Sequence, residues 1–279
     1  MPSTQLRYLI PAQPQVEQQD FERTARLLHA RSGIVLGGHK HDMVARTLSN
    51  RSRKVGAASM SEYLSFLELN AQSPEWDHFI NAFTINHTAF FREQHHFDIL
   101  TEFVRTRKGA ISIWCAAASS GEEPYSIAMT LQESVRRAND PQSSIWATDI
   151  DTQALERAKK GTYSMERVKP VPEDYLKKYF LRGKNKQTGL VRVKPIISDM
   201  IQFEQFNLLS PAWPADKKFD AIFCRNTMIY FDKTTQTRVL ERFALMLKPG
   251  GFLFAGHSEN FTYLTKAFLL KGQTVYSKV

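Results

Sequence analysis

The sequence predicts an α/β fold, in which a parallel-type sheet follows a small N-terminal all-helical domain and carries a small antiparallel β insertion. Three observations predict it. From about Asp20 to Ile85 the apolar residues recur at helical spacing without a strand-like stretch. After Gly109, short apolar runs alternate with helical stretches, the rhythm of a sheet whose strands are joined by helices. Between 175 and 206 that rhythm gives way to short apolar runs behind a polar turn. The boundaries that follow are a flexible terminus over 1–19, a helical domain over 20–85 and the α/β domain over 86–279, with the insertion over 175–206 inside it.

The chain has 279 residues, enough for one α/β domain and a smaller partner. Met1 to Gln19 is rich in Gln and Pro and lacks the basic-then-apolar layout of a signal peptide. Phe21, Ala25 and Leu28 share one helix face, and Gly33 stops that helix. Ser59 and Glu62 have the spacing of a capping box ahead of Tyr63, Leu64 and Leu67. Ser73-Pro74 opens another helix, with Trp76, Phe79, Ile80 and Phe83 on one face. Charge here is lopsided. Arg23, Arg26, Arg31, Lys40, Arg46, Arg51, Arg53 and Lys54 lie in a stretch whose single carboxylate is Asp42. These cations form either a solvated face or a docking face for something acidic.

In the α/β domain, strands are predicted at 111–115, 144–148, 219–224, 251–255 and 274–277. Helices are predicted at 124–138, 152–160 and 233–247. Ligands of such a sheet sit at the carboxyl ends of its strands. The first of these ends is the most informative. Its strand closes in Cys115, Ala116, Ala117, Ala118, Ser119, Ser120 and Gly121 before Pro124 opens a helix. Small residues there let a ligand approach the backbone closely. The run is not G-x-G-x-x-G, and Glu122 and Glu123 stand where they would repel a pyrophosphate. The ligand suggested carries a positive charge or hydroxyls, and S-adenosylmethionine has both.

Asp149 ends the second predicted strand, about 25–30 residues past that turn and near the slot where an acidic side chain takes ribose hydroxyls. Capping the next helix is the competing role, which Asp151 or Thr152 can also fill. A second cluster runs from Asn86 to Arg92 at the join of the two domains. Phe90 and Phe91 anchor a core there, whereas Arg92 suits a carboxylate of cofactor or substrate. A third cluster, from Arg225 and Asn226 to Tyr230 and Phe231, offers a guanidinium, an amide and a phenol where a substrate would sit.

Other signals exclude function classes. Cys115 and Cys224 read as reduced, buried hydrophobes. The histidines have no recognised ligand spacing, so no metal is expected. Ser119 and Ser120 lack a G-x-S-x-G elbow, and the charged turn from Gly183 to Gly189 lacks a Walker ending. No apolar run approaches a membrane span. The formal net charge of +9 calls for an acidic partner. With no zinc spacing, RNP-like segment or Gly-rich basic tract, an acidic protein surface explains it as well as nucleic acid does.

Together these motifs resemble the CheR family, the bacterial chemoreceptor glutamate methyltransferases. The resemblance rests on Asn86, Thr88, Phe90, Phe91, Arg92 and Glu93, on the run from Ala116 to Ser126, and on Ala147 to Asp151. It continues through Phe206 to Leu209, Cys224 to Asp232, and Pro249, Gly250 and Gly251 leading to Gly256, His257, Ser258 and Glu259. The resemblance implies a Rossmann-like, S-adenosylmethionine-dependent methyltransferase sheet. It implies cofactor contacts from Asn86, Thr88 and Arg92, and from Glu123 and Asp149 to the amino-acid and ribose portions. Asn207 and Leu208 would flank the adenine, and Cys224 and Arg225 would line the methionine side. Arg92 and Tyr230 would stand nearest the transferred methyl.

The implied reaction moves that methyl to receptor glutamates in a cytoplasmic, monomeric enzyme and leaves S-adenosylhomocysteine. A carboxylate is already ionised at neutral pH, so no general base is required. An anion and a cation become two neutral groups, which leaves alignment and exclusion of water as the main catalytic tasks. Arg92 must orient the nucleophile without clamping it. The implied partner is the acidic methylation region of a chemoreceptor's cytoplasmic domain, met by the basic helices. In tail-binding members the insertion also takes a receptor's C-terminal peptide as an added strand. Neither nucleic acid nor direct membrane insertion belongs to this reading. Its competitors are a nucleic-acid methyltransferase, although the Asn/Asp-Pro-Pro-aromatic motif is absent, and a non-catalytic regulator that binds the same cofactor.

Overall fold

The computed structural model describes residues 14–134 and 143–279. Residues 135–138 of the helix predicted over 124–138, and residues 1–13 of the terminus predicted as flexible over 1–19, lie outside the described residues. The chain divides into two compact units: one runs to Ala30 and resumes over Val35–Phe83, and the other takes Arg31–Ile34 and Thr84–Val279.

The first unit is helical, built from α1 (Gln18–Ser32, whose last two residues belong to the second unit), α2 (His41–Val55), α3 (Met60–Leu69) and α4 (Glu75–Phe83). Leu28, Leu48, Tyr63, Leu64, Leu67 and Phe79 are fully buried among them. The capping box forms: Ser59 Oγ accepts the Glu62 N–H at 3.0 Å, and Glu62 Oε2 accepts the Ala58 N–H at 2.6 Å. The basic series is only partly a free face. Arg23 pairs with Asp20 at 3.0 Å and Glu68 at 2.7 Å. Arg51 forks onto Glu75, 2.6 Å from each oxygen, and Tyr63 donates to the same carboxylate at 2.7 Å. Those two arginines hold helices together. Arg26, Arg46, Arg53 and Lys54 are exposed.

The second unit begins with α5 (His95–Arg105), β1 (Ser112–Cys115), α6 (Glu122–Ser134), β2 (Ser144–Asp149) and α7 (Thr152–Lys160). It continues through β3 (Thr162–Ser164), α8 (Glu173–Tyr179), β4 (Phe180–Arg182), β5 (Leu190–Val193), α9 (Pro195–Ser198) and β6 (Ile201–Gln205). It closes with β7 (Phe219–Cys224), α10 (Lys233–Met246), β8 (Leu247–Ala255), β9 (Phe268–Gly272) and β10 (Val275–Lys278). The main sheet has the order β6-β2-β1-β7-β8-β10-β9. The first five strands in that order are parallel, and β10 runs antiparallel to both of its neighbours. The sheet is therefore mixed, with a parallel body.

The two-residue period of each strand sorts side chains onto two faces. Ile113, Cys115, Ile145, Ala147, Ala221 and Phe223 join one core with α5 and α6. Trp114, Trp146, Ile222 and Cys224 join the other with α10. The two free, buried cysteines thus lie on opposite faces.

The insertion departs from its predicted bounds. Its antiparallel sheet has the order β3-β5-β4, so it starts before 175, at Thr162. The run Ile201–Gln205, expected within it, instead pairs in parallel with Ser144–Asp149. The reason is packing: Ile201 and Phe203 lie against the main core.

Candidate active site

Strand order reverses between β1, which leads on to β2, and β7 on its other side. That reversal opens a crevice at the carboxyl ends of the two strands. The small-residue turn after β1 is shaped by its backbone, with φ +47 at Ser119 and +98 at Gly121. A Cβ on Gly121 would lie 2.8 Å from the Tyr163 hydroxyl and 2.9 Å from Ala158 Cβ. Tyr163 donates to Ser120 O at 2.7 Å. Glu122, fully buried, pairs with Arg167 and accepts the Ser120 hydroxyl at 2.7 Å. It belongs to the wall of the turn.

Asp149 ends β2 half-buried. Its Oδ2 accepts the Ser119 N–H at 2.7 Å and its Oδ1 the Asp151 N–H at 2.9 Å. The cap of α7 is Asp151, whose Oδ1 accepts the Ala154 N–H at 2.9 Å. Asp149 is therefore not the cap, and with the Ile150 N–H also acting on it the carboxylate keeps room for a further donor. Burial pushes its carboxyl up to about 6, against the opposing pull of the Asp151 and Ser119 N–H groups. Asn86 ties this region together. Its Nδ2 donates to Asp151 Oδ2 at 2.6 Å, and its Oδ1 accepts the Ser119 hydroxyl at 2.9 Å.

On the other side, β7 runs out into Arg225. Its side chain is 1% exposed and lies 2.5 Å from Glu123 Oε2 and 3.1 Å from Glu93 Oε2. It also donates to Arg92 O at 2.5 Å, while its Nε has no acceptor. Burial works to lower the Arg225 pKa, but the Glu123 and Glu93 carboxylates prevail and raise it. Glu123 Oε1 accepts the Cys115 thiol at 3.3 Å. Burial pushes both the Cys115 and Cys224 thiols well up, which makes them walls and not nucleophiles.

The loop after Arg225 is fastened by Glu259. This buried carboxylate accepts the N–H groups of Gly256 at 2.6 Å, Asn226 at 2.9 Å, Thr227 at 3.0 Å and Ile229 at 3.2 Å. The loop then makes one 3₁₀ turn, Met228–Tyr230. Tyr230 is half-buried, and its hydroxyl makes no hydrogen bond among the described residues. Arg92 is also half-buried. Its Nη1 donates to His87 O at 2.8 Å, and no carboxylate pairs with it among the described residues.

Of the residues singled out in the sequence, Arg92, Glu123 and Arg225 form one connected group, and Asn86 and Asp149 meet through Ser119. Thr88, Leu208 and Tyr230 make no side-chain hydrogen bond to either group. Asn207 instead bonds Arg31 O at 2.6 Å and the Leu209 N–H at 2.9 Å. Sequence reasoning missed the parts played by Glu93, Ser119 and Glu259, and named Asp151 only as one candidate cap. Glu93 and Glu259 stand inside the quoted motifs, yet nothing local marks a carboxylate that collects donors from distant loops.

The donor set fits a sulfonium nucleoside. Glu93, Glu123 and Asp149 set three carboxylates against the guanidiniums of Arg92 and Arg225, a balance that suits a cation and repels pyrophosphate. The Ala and Ser turn leaves backbone accessible, and Asp149 has lone pairs for hydroxyls. Fold and crevice together define an α/β protein that binds a cationic nucleoside cofactor.

Comparison with known proteins makes the class specific. The profile described as the CheR methyltransferase all-alpha domain matches residues 19–84, and that described as the CheR methyltransferase SAM binding domain matches residues 86–277. The chemotaxis protein methyltransferase of Klebsiella aerogenes is 51% identical over 257 residues, 92% of this chain and 88% of that protein. That of Salmonella typhimurium is 48% identical over 279 residues, 99% of this chain and 96% of that protein. Chemotaxis protein methyltransferase 2 of Pseudomonas aeruginosa is 45% identical over 263 residues, 93% of each. The chain belongs to the CheR family, and its cofactor is S-adenosylmethionine.

Proposed function

We propose that this protein methylates glutamate side chains of chemoreceptors in chemotaxis adaptation, with S-adenosylmethionine as donor. The observation that carries the reading is the acidic crevice in which Arg225 is held between Glu93 and Glu123, with Asp149 at the end of the neighbouring strand. The bound cofactor supplies an electrophilic methyl group on a sulfonium.

The chain's own residues then have distinct tasks. Asp149 accepts hydrogen bonds from the ribose hydroxyls through its free lone pairs. Glu123, with both oxygens engaged, adds negative charge on the amino-acid side and fixes Arg225. Asn86 and Asn207 act by holding the loops that carry them, and Thr88 offers an uncommitted hydroxyl. Leu208 and Cys224 form apolar walls. Arg92, free of any carboxylate among the described residues, orients the incoming glutamate, and the Tyr230 hydroxyl gives it one hydrogen bond. No proton moves, because the nucleophile is already an anion.

The exposed Arg26, Arg46, Arg53 and Lys54 support docking of an acidic receptor segment on the helical unit. Both β3 and β4 are edge strands of the insertion, which supports addition of a receptor tail as a further strand. In this reading the protein works as a cytoplasmic monomer. Among the described residues no helix is long and apolar enough to cross a membrane.

The test is incubation with methyl-labelled S-adenosylmethionine and receptor-bearing membranes, followed by alkaline hydrolysis. Base-labile label on receptor glutamates is the expected result. Label in nucleic acid, or cofactor binding without any transfer, would overturn the reading.

A further inference from the structure

Beside the crevice, Glu93, His95 and His96 bring three ligand atoms within 4.8 Å of one another, a grouping of His and Glu that the reaction above does not use as a unit. His96 is fully buried. Its Nε2 lies 2.9 Å from Gln273 O, and a carbonyl can only accept, so Nε2 carries the hydrogen. In the neutral ring Nδ1 is therefore a bare lone pair. It lies 3.6 Å from Glu93 Oε2 and makes no hydrogen bond among the described residues. Two potential ligand atoms thus face each other across 3.6 Å, with the Arg225 guanidinium against the carboxylate.

We propose that Glu93, His95 and His96 form a binding site for a divalent transition-metal ion of the zinc class. Two imidazole nitrogens and one carboxylate oxygen are the donors such ions prefer, and a fourth position stays open for water. At metal–ligand distances of about 2.0–2.2 Å, the ligand atoms of one ion stand roughly 3.3 Å apart, close to the separation of Nδ1 from Oε2. The half-buried His95 ring closes the remaining gap by a rotamer change. The same Glu93 oxygen also lies 3.1 Å from Arg225, so ion and guanidinium compete for it. Occupancy draws Glu93 away from Arg225 and loosens one wall of the cofactor crevice. This second consequence rests on the proposed part of Arg225 in that crevice.

The experiment uses full-length protein without a polyhistidine tag, stripped with EDTA and titrated with Zn²⁺ alone by calorimetry. Co²⁺ serves as the spectroscopic probe. One ion per chain is expected at micromolar or tighter affinity, with Co²⁺ giving the visible bands of a low-coordinate site. His95→Ala weakens binding about tenfold or more, whereas His78→Ala, an exposed histidine of the helical unit, leaves it unchanged. No binding, which would mean a water bridging Nδ1 and Oε2, or binding indifferent to His95→Ala, overturns the site. Zn²⁺ is further expected to weaken S-adenosylhomocysteine binding in the unsubstituted protein and not in His95→Ala. Tight Zn²⁺ binding without that effect overturns the competition for Glu93.

Discussion

Ser119 donates its N–H to Asp149 Oδ2 at 2.7 Å from a left-handed backbone conformation, φ +47. The bond joins the turn after β1 to the end of β2, so the two segments that flank the crevice move as one piece. A non-glycine residue held at positive φ costs about 1–3 kcal/mol, and the Asn86 bond to the Ser119 hydroxyl helps hold it there. The carboxylate that receives the N–H is therefore fixed in place before any ligand arrives.

With Asp149 in its proposed ribose-binding role, that placement should make cofactor affinity depend on pH. Burial first, opposed by the Asp151 and Ser119 N–H groups, raises the Asp149 carboxyl from 3.8 to about 6. Between those values the native state holds a proton that the unfolded chain releases, so this group lowers stability as pH rises through the window. In the ribose-binding role proposed for Asp149, hydroxyls donate to the ionised form, so binding has the opposite trend. S-adenosylhomocysteine should bind about tenfold more tightly at pH 7 than at pH 5, with proton release that calorimetry in two buffers detects. Asp149→Asn should flatten both slopes. A pH-independent affinity in the unsubstituted protein would remove Asp149 from the ribose site.

The Glu123–Arg225 pair is buried, so removing one partner strands the other. Arg225→Met leaves Glu93 and Glu123 without their shared cation and should cost about 3–5 kcal/mol, read as a shift of the urea midpoint at constant slope. Adding Glu123→Gln should recover part of that loss, because the two residues are coupled. Additive losses in the double variant would mean that the pair does not stabilise the native state as a unit.

Legibility in the sequence followed the locality of each signal. The run Phe219–Cys224 is apolar throughout and the run Thr152–Lys160 is periodic with an acidic cap, and both elements have the predicted bounds. Ile201–Gln205 was assigned to the wrong sheet because its pattern is that of an edge strand, and only its pairing with β2 decides where it belongs. Asp149 and Asp151 are two residues apart and chemically identical, so composition could not choose the cap; the bond to Ala154 does. The basic series looked uniform because Glu68 and Glu75, partners of Arg23 and Arg51, lie 45 and 24 residues away. Glu259 was least legible. Its role exists only once Gly256 and the Asn226–Ile229 loop converge on one carboxylate.

The same loop sets a steric prediction. A Cβ at Gly256 would lie 2.4 Å from Asn226 Nδ2 and 2.7 Å from the Asn226 backbone nitrogen, which Glu259 holds in place. Gly256→Ala should therefore cost about 1–3 kcal/mol and weaken cofactor binding through displacement of the Arg225 loop. Gly38→Ala meets nothing within 4 Å and should stay within about 0.5 kcal/mol. Equal effects of the two substitutions, measured by thermal unfolding, would show that the Gly256 contact relaxes without cost.

Arg92 and Tyr230 separate catalysis from stability. Among the described residues the Arg92 fork is tied down only by a bond to His87 O at 2.8 Å, so Arg92→Ala should cost no more than about 1 kcal/mol. The Tyr230 hydroxyl has no partner among the described residues, and Tyr230→Phe should leave the unfolding midpoint unchanged. If the guanidinium orients the incoming carboxylate, its loss removes alignment and should slow single-turnover transfer about 10²-fold, while the absent phenol should slow it about tenfold. Affinity for S-adenosylhomocysteine should fall in Arg92→Ala and hold in Tyr230→Phe, because only Arg92 is assigned to cofactor as well as substrate. Arg92→Lys keeps the charge without the fork and should restore cofactor affinity more than rate. Full single-turnover rates in both Arg92→Ala and Tyr230→Phe would move the site of transfer elsewhere along the crevice.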